Sequence, residues 1–253
     1  MSKIFLDVSF LGTAYCGYQV QTGVPTVQQK LNEAAKSLFG VECDVVGCSR
    51  TDSGVHAKQF CVAISEKGRS GLDTGVPVEK IASAMSFYLP EDIAVNNARL
   101  VDDDFHPRYD VKSKEYLYLI WNGRERNPFM HDRSWHYPKK IDDVALENMR
   151  HAAQRLVGTK DFSSYMAANS KVKSTVRTIY RTELERDGDM ISFRICGDGF
   201  LYNMVRIIVG TLVGVAEGKI SADDIDKITA ACDRKQAGIT APPQGLYLNK
   251  VIY

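Results

Sequence analysis

The sequence predicts an α+β protein in which strands form mainly antiparallel sheets and helices pack on them. Runs of alternating apolar and polar residues indicate strands, and two of them, 176–186 and 190–196, are joined through Asp187-Gly188, a strong hairpin signal. Other segments carry apolar residues at helical spacing behind a capping residue. A run of three aspartates divides the chain into an N-terminal half, residues 1–104, and a C-terminal half, residues 105–253.

The N-terminal half is predicted to contain four strands and two helices. The strands cover residues 3–10, 41–46, 55–64 and 93–101. The first helix begins at Thr26, where the Thr-x-x-Gln pattern is a capping box, and it ends at Gly40. The second helix turns Ile81, Met85 and Tyr88 towards the core.

The C-terminal half is predicted to contain a strand buried on both sides (116–121), the hairpin and three helices. The first helix begins at Asp142, an N-cap residue, and stops at Gly158. The second helix is apolar, and the third turns Cys232 inward. Between the strand and the first helix lies a loop, residues 122–140, that is rich in Asn, Gly, Arg and Pro.

The composition indicates a globular protein with a substantial core, since 44% of the residues are hydrophobic and 25% are charged. Residues 3–10 alternate as a strand, so we expect no signal peptide, and no run is long and apolar enough to span a membrane. None of the six cysteines forms a Cys-x-x-Cys pair and the five histidines are scattered. We therefore expect no metal site, reduced thiols and a cytoplasmic location.

The charge is distributed unevenly, although the net charge is only +1. Residues 1–105 hold 9 Lys and Arg against 13 Asp and Glu, a net −4, whereas residues 106–253 hold 23 against 18, a net +5. Residues 106–186 alone hold 16 against 10, a net +6. Two interpretations stay open: this region faces the phosphates of a nucleic acid, or it forms the solvated faces of helices and hairpins.

The most distinctive stretch is residues 47–57, Gly-Cys-Ser-Arg-Thr-Asp-Ser-Gly-Val-His-Ala. Arg50 and Asp52 are separated by one residue, so in an extended chain a guanidinium and a carboxylate point the same way. Gly47 and Gly54 bracket them, which suits a tight turn or the close approach of a ligand. The residues alone leave two interpretations open, a working site and a turn with a surface ion pair.

Residues 50–57, Arg-Thr-Asp-Ser-Gly-Val-His-Ala, resemble the signature of TruA-type tRNA pseudouridine synthases, in which the Asp is catalytic. Further segments are similar to motifs of the same family, at residues 17–21, 89–93, 114–118, 200–206 and 243–248. Two positions depart from the family pattern: Tyr18 stands where it usually has Trp or Phe, and Lys160 replaces the usual His. We assign Lys160 no role.

The resemblance implies a pseudouridine synthase fold, with two similar α+β halves and an active-site cleft between them. It implies conversion of uridine to pseudouridine in the anticodon stem-loop of tRNA, in which uracil is detached from ribose, turned over and rejoined through C5. It also implies a homodimer that binds tRNA, extrudes the target base and needs no cofactor or metal. Two mechanisms stay open, in which the catalytic aspartate attacks either the sugar or the base.

Asp52 is the predicted nucleophile, because a carboxylate can form a covalent intermediate without a cofactor. Arg206, at the start of the apolar helix, is either a surface arginine or the partner that keeps Asp52 ionised, as the family motif implies. Tyr116 is either a core aromatic or, by resemblance, the ring that stacks on the target base. Arg50 either pairs with Asp52 or, by resemblance, fills the space left by the extruded base. His56 is predicted to be satisfied locally.

Two other functions stay open. The first is a non-catalytic RNA-binding protein of the same fold, although the presence of Asp52 together with Arg50 and Arg206 favours catalysis. The second is a carboxylate-based glycosidase, which would use a second acid paired with the first, and the motif supplies only Asp52.

Overall fold

A computed structural model, which describes residues 2–168 and 172–253, shows an α+β protein. The described residues form ten strands and five α-helices. The predicted fold class is therefore confirmed. In this part of the chain, none of the helices combines the length and the apolar character that crossing a membrane takes.

The chain folds as two compact units. The first consists of Met1–Lys112 together with Leu248–Tyr253, and the second consists of Ser113–Tyr247. The sequence suggests a boundary after residue 104, which is earlier than the division between Lys112 and Ser113. It also places the C-terminus in the second half. The difference arises because the last strand of the chain pairs with a strand of the first unit.

The first unit is a sheet with two helices. Its elements are β1 (Ser2–Phe10), α1 (Val27–Phe39), β2 (Cys43–Gly47), β3 (His56–Glu66), α2 (Val78–Phe87), β4 (Ile93–Asp102) and most of the last strand, β10 (Leu246–Ile252). Strand β1 pairs antiparallel with both β3 and β4, and β2 pairs antiparallel with β3. Large side chains that are fully buried form its core: Ile4, Leu6, Leu31, Phe60, Ile64, Ile81 and Met85.

The second unit is a sheet with three helices. Its elements are β5 (Ser113–Trp121), β6 (Trp135–His136), α3 (Asp143–Gln154), β7 (Gly158–Asp161), β8 (Val176–Asp187), β9 (Met190–Gly197), α4 (Met204–Ala216) and α5 (Ile225–Ala230). The strands β5, β9, β8 and β7 follow one another in antiparallel pairs, and the short β6 pairs with β5 in parallel. Its fully buried aromatic side chains are Tyr118, Phe162, Tyr165 and Phe193.

Local capping signals were predicted well. The hydroxyl of Thr26 accepts a hydrogen bond from the amide of Gln29 (3.3 Å), and Gly40 ends α1 with a left-handed φ of 72°. The carboxylate of Asp142 caps α3 in the same way, accepting from the amide of Ala145 at 2.8 Å. These ends are fixed by side chains within one turn of the helix, so sequence alone indicates them.

Other details of the prediction are wrong. Tyr88 is 47% exposed, because α2 ends at Phe87 and Tyr88 is its C-terminal cap. Cys232 is exposed, because α5 has already ended and Cys232 adopts a left-handed φ of 51°. Gly158 does not stop α3, which ends at Gln154, but begins β7. Neither β6 nor β7 was predicted, since both are too short to show alternation.

Helix α4 packs directly on the backbone of residues 238–241. A Cβ added to Gly210 would lie 1.9 Å from the carbonyl oxygen of Ile239, and one added to Gly238 would lie 2.6 Å from that of Gly210. The amide of Gly238 also donates to the hydroxyl of Thr211 at 2.9 Å. Only glycine allows two backbones to approach so closely. The contact therefore fixes this segment against the helix.

We expect Gly210→Ala to lower the free energy of unfolding by about 1–3 kcal/mol, because the added methyl group overpacks the contact with Ile239. Gly214→Ala is the matched control on the same helix, since its Cβ would meet only the flexible end of Ile220, at 3.0 Å. Both substitutions gain helix propensity, so the difference between them isolates the contact. Urea denaturation measures both, and equal stability of the two variants would contradict the close approach.

Candidate active site

The loop that carries the predicted nucleophile, residues 48–55, connects β2 to β3 and packs on the loop between β1 and α1. The amide of Tyr18 donates to the carbonyl of Thr51 at 3.3 Å. The amide of Gly54 donates to the carbonyl of Tyr15, also at 3.3 Å. The two loops are therefore joined through their main chains, and the join does not depend on the rotamer of any side chain.

Two glycines make this join possible. A Cβ added to Gly12 would lie 2.0 Å from the carbonyl oxygen of Val55, and one added to Gly17 would lie 2.4 Å from that of Thr51. Gly17 also has a φ of 85°, a conformation that other residues rarely adopt. A side chain at either position would push the loop of residues 48–55 away.

Asp52 and Arg50 occupy different environments on this loop. Asp52 is half-buried and begins a tight turn, in which the amide of Val55 donates to its carbonyl at 3.2 Å. Arg50 is exposed, and within residues 2–168 and 172–253 its guanidinium takes part in no ion pair. The two side chains therefore do not form the surface ion pair that the simple turn interpretation requires.

Strand β3 contains buried residues whose polar groups are bonded to other parts of the first unit. His56 is completely buried, and its Nδ1 accepts a hydrogen bond from the amide of Gly12 at 2.9 Å, so the ring carries its proton on Nε2 and is neutral. His56 is bonded within the fold, but its partner is 44 residues away in the chain and not the local partner that the sequence predicted. Cys48 and Cys61 are also buried, and their mutual hydrogen bond together with burial raises the pKa of the Cys61 thiol well above its usual range. Such a thiol stays protonated and is a poor nucleophile.

Two tyrosines anchor the supporting loop. Tyr15 donates to a carboxylate oxygen of Asp92 at 2.6 Å, and burial together with this bond raises the pKa of Tyr15 well above its usual range. Tyr18 is buried and stacks on Phe60, with ring centroids 4.3 Å apart. Tyr15 together with the motif residues Tyr18 and Asp92 thus holds in place the loop on which residues 48–55 pack.

In the second unit, Arg206 is half-buried in the first turn of α4. Its Nε donates to the carbonyl of Ala241 at 2.8 Å, and its Nη1 donates to the side-chain oxygen of Asn203 at 2.8 Å. The amide of Ala241 in turn donates to the carbonyl of Arg206 at 3.1 Å. These bonds fix the plane of the guanidinium, so Arg206 is not a mobile surface arginine.

The sequence does not indicate two residues that lie near Arg206, one bonded to it and one affected by its charge. Asn203 precedes α4 with a left-handed φ of 60°, which asparagine tolerates better than most residues. Tyr118 is completely buried and donates to the carbonyl of Pro242 at 2.7 Å. Burial raises the pKa of Tyr118 well above its usual range, and the nearby positive charge of Arg206 opposes that rise. The alternation of β5 marks Tyr118 as buried, but nothing local indicates its partners.

Tyr116 lies near the start of β5, directly opposite Ile195 of β9. It is 7% exposed, and its ring meets Phe200 edge to face, with centroids 5.0 Å apart and planes at 79°. The ring is therefore rigidly packed, as the core interpretation of Tyr116 requires. Its stacking on a substrate base stays a prediction.

The predicted site residues are divided between the two units. Arg50 and Asp52 share one loop of the first unit, and Tyr116 and Arg206 lie on β5 and α4 of the second. The first unit supplies a carboxylate and a guanidinium group, and the second supplies a guanidinium group and an aromatic ring. Among the residues that the structure describes, no group of three or more His, Cys, Asp and Glu side chains is arranged to hold a metal ion.

Comparison with known proteins extends the resemblance seen in the motifs. The sequence model of a family described as tRNA pseudouridine synthase matches residues 152–253. The chain is 44% identical to tRNA pseudouridine synthase A of Thermoanaerobacter sp. (strain X514), with 100% of both chains covered. It is 42% identical to the proteins of the same name from Acetivibrio thermocellus, with 100% of both chains covered, and Bacillus licheniformis, with 97% covered. The similarity thus spans both units.

We expect Gly17→Ala to loosen the loop that carries Asp52, because the new Cβ would lie 2.4 Å from the carbonyl oxygen of Thr51. Gly23→Ala is the matched control: Gly23 has a φ of 80°, close to the 85° of Gly17, but nothing lies within 4 Å of its Cβ. Both variants carry backbone strain, and only the first carries the clash.

Hydrogen–deuterium exchange should accelerate at residues 48–56 in Gly17→Ala and not in Gly23→Ala. Equal exchange of this segment in the two variants would show that the glycine contact does not hold the loop.

Proposed function

Because the chain belongs to the tRNA pseudouridine synthase A family, we propose that it converts uridine to pseudouridine in the anticodon stem-loop of tRNA. The observation that carries the proposal is the 44% identity, over 100% of both chains, to a relative of that name. The reaction is an isomerisation. The bond from ribose C1′ to uracil N1 breaks, a bond from C1′ to C5 forms, C5 loses its hydrogen as a proton, and N1 gains a proton.

Asp52 is assigned the role of nucleophile in this reaction. A carboxylate attacks a carbon centre without a cofactor and leaves again when the new glycosidic bond forms. Attack on ribose C1′ and attack on the base both use the same ionised group. The main-chain hydrogen bonds between the loop of Asp52 and the loop between β1 and α1 support the assignment. A nucleophile has to be held within a fraction of an ångström of its productive position.

Arg206 is assigned the role of keeping Asp52 ionised in the bound complex. The proposal rests on chemistry: a guanidinium favours a nearby carboxylate in its charged form, and more so where substrate excludes water. Support comes from the two hydrogen bonds to Ala241 and Asn203, which orient the Arg206 guanidinium before any substrate arrives.

Tyr116 and Arg50 are assigned to the extruded nucleotide. The rigid ring of Tyr116 suits stacking on uracil, which contributes about 1–3 kcal/mol per base. Arg50 is exposed and makes no ion pair among the described residues, so its guanidinium is available to fill the gap that the uridine leaves.

Arg50→Ala would then lower kcat/KM for tRNA without changing the stability of the protein, and an unchanged kcat/KM would remove Arg50 from this role.

The proposal extends to a cytoplasmic homodimer, as the resemblance to TruA-type enzymes implies. Transfer RNA is a polyanion, and the net charge of +6 over residues 106–186 suits binding to its phosphates. Light scattering should give twice the mass of one chain. A mass equal to that of one chain at working concentrations would remove the homodimer from the proposal.

Release of tritium from tRNA labelled at C5 of uridine tests the function directly, because only the new C1′–C5 bond displaces that hydrogen. Tritium release with intact RNA chains is the expected result. Binding of tRNA without any release would identify a non-catalytic RNA-binding protein, and release of free uracil would identify a glycosidase.

We expect Arg206→Lys to slow the chemical step on the order of 100-fold, because a lysine cannot reproduce the fixed fork of the guanidinium. Single-turnover tritium release measures this step. Arg194→Lys is the control, since Arg194 lies on β9 and pairs with Glu185 on the surface. A full rate in Arg206→Lys would exclude Arg206 from the mechanism.

We assign the Tyr116 hydroxyl a second role, in removing the proton from C5. We therefore expect Tyr116→Phe to keep the affinity for tRNA, because the ring remains, and to slow turnover about 10- to 100-fold, because the hydroxyl is lost. Tyr116→Ala should also weaken capture of the uridine, since stacking is lost. Tyr180→Phe, on the exposed side of β8, controls for removal of a tyrosine hydroxyl. Unchanged turnover in Tyr116→Ala would show that the ring does not touch the base.

A further inference from the structure

The segment between β5 and α3, residues 122–140, has no part in the chemistry proposed for this protein. It carries five Lys and Arg against two Asp and Glu, a net +3. At its tip stands Phe129, which is 82% exposed. This basic segment therefore combines positive charge with an aromatic ring in solvent.

The ring of Phe129 is held out by a structured turn. Residues Pro128–Met130 form a short 3-10 turn, and the side-chain oxygen of Asn127 caps it by accepting from the amide of Phe129 at 3.0 Å. The hydroxyl of Ser134 donates to the carbonyl of Met130 at 3.2 Å and closes the turn from the other side. A ring presented by an ordered turn loses little conformational entropy when it stacks on a ligand.

Side chains also connect the two ends of the basic segment. The side-chain nitrogen Nδ2 of Asn122 donates to the carbonyls of Tyr137 (2.8 Å) and Lys139 (2.9 Å). The indole nitrogen of Trp121 donates to the carbonyl of Glu125 at 2.9 Å. The segment is therefore a structured loop whose two ends are connected by hydrogen bonds.

The arginines around Phe129 are available to an anion. Arg126 and Arg133 are exposed, and in the described part of the chain neither guanidinium forms an ion pair. Arg124 meets only its neighbour Glu125, at 3.7 Å, and both side chains are at least 90% exposed. An ion pair so exposed contributes little and gives way readily to a phosphate.

We propose that the basic segment is a second RNA-contact element, in which Phe129 stacks on an unpaired base of the tRNA while Arg124, Arg126 and Arg133 contact neighbouring phosphates. An aromatic ring flanked by arginines is the chemistry of sites for single-stranded RNA. The segment leaves β5 at Trp121, about 17 Å along the strand from Tyr116. It therefore contacts a nucleotide other than the reacting uridine. The inference rests on the proposed function only in taking tRNA as the ligand.

The affinity of Phe129→Ala for unlabelled tRNA tests the stacking. Its Kd should rise about 5- to 100-fold, as for the loss of one stacked base, while kcat at saturating tRNA stays within about twofold of wild type. Phe129→Trp should keep the wild-type Kd. Phe87→Ala is the matched control, because Phe87 is also 82% exposed but lies at the end of α2, outside the basic segment.

The salt dependence of the same Kd tests the phosphate contacts. The slope of log Kd against log salt concentration should fall by about one in Arg126→Ala and in Arg133→Ala, since each lost phosphate contact releases one counterion fewer. The slope should not change in Phe129→Ala, because stacking releases no counterion. This contrast separates the two kinds of contact.

A Kd of Phe129→Ala equal to that of Phe87→Ala would overturn the proposal. So would a fall in kcat without a change in Kd, which would place Phe129 in the chemistry. A lower molecular mass in Phe129→Ala would assign the segment to an interface between copies of this chain instead. Binding is measured without turnover, so wild-type protein that binds tRNA but releases no tritium would refute the proposed function and leave this inference intact.

Discussion

The position of Asp52 depends on a contact between two loops that only glycine permits. Residues 48–55 belong to neither a helix nor a strand, so no regular ladder of hydrogen bonds fixes them. Gly12 and Gly17 let the neighbouring loop lie directly against the carbonyls of Val55 and Thr51. A carboxylate on a mobile loop would rarely occupy the position from which it attacks. The glycines therefore hold in place the turn that carries the proposed nucleophile.

The second unit positions a cation by the same physical means. The guanidinium of Arg206 bonds to the carbonyl of Ala241, and the segment before Ala241 packs on α4 through the close approach at Gly210. Main-chain carbonyls held in this way do not reorganise when charge changes nearby. A cation fixed by such groups stabilises a developing or persistent negative charge more effectively than a mobile one does. Both charged groups of the proposed mechanism are thus set by backbone packing.

The sequence predicted the parts of the structure that short-range chemistry determines. Thr26 and Asp142 cap their helices, and the fold class follows from alternating strands and amphipathic helices. Motif resemblance singled out Asp52 and Arg206. What was missed arises from contacts between residues far apart in the chain. The bond of Tyr118 to Pro242 and the close approach of Gly12 to Val55 have no local signature. The error at Tyr88 is of another kind, because it depends only on where α2 ends.

The claim that Asp52 carries the chemistry is tested most directly by single-turnover formation of pseudouridine in Asp52→Asn. This variant keeps the size and shape of the side chain and removes its charge. We predict a rate on the order of 1000-fold or more lower than that of wild type, with affinity for tRNA within about twofold. A rate within about tenfold of wild type, at unchanged affinity, would show that the carboxylate of Asp52 is not the nucleophile.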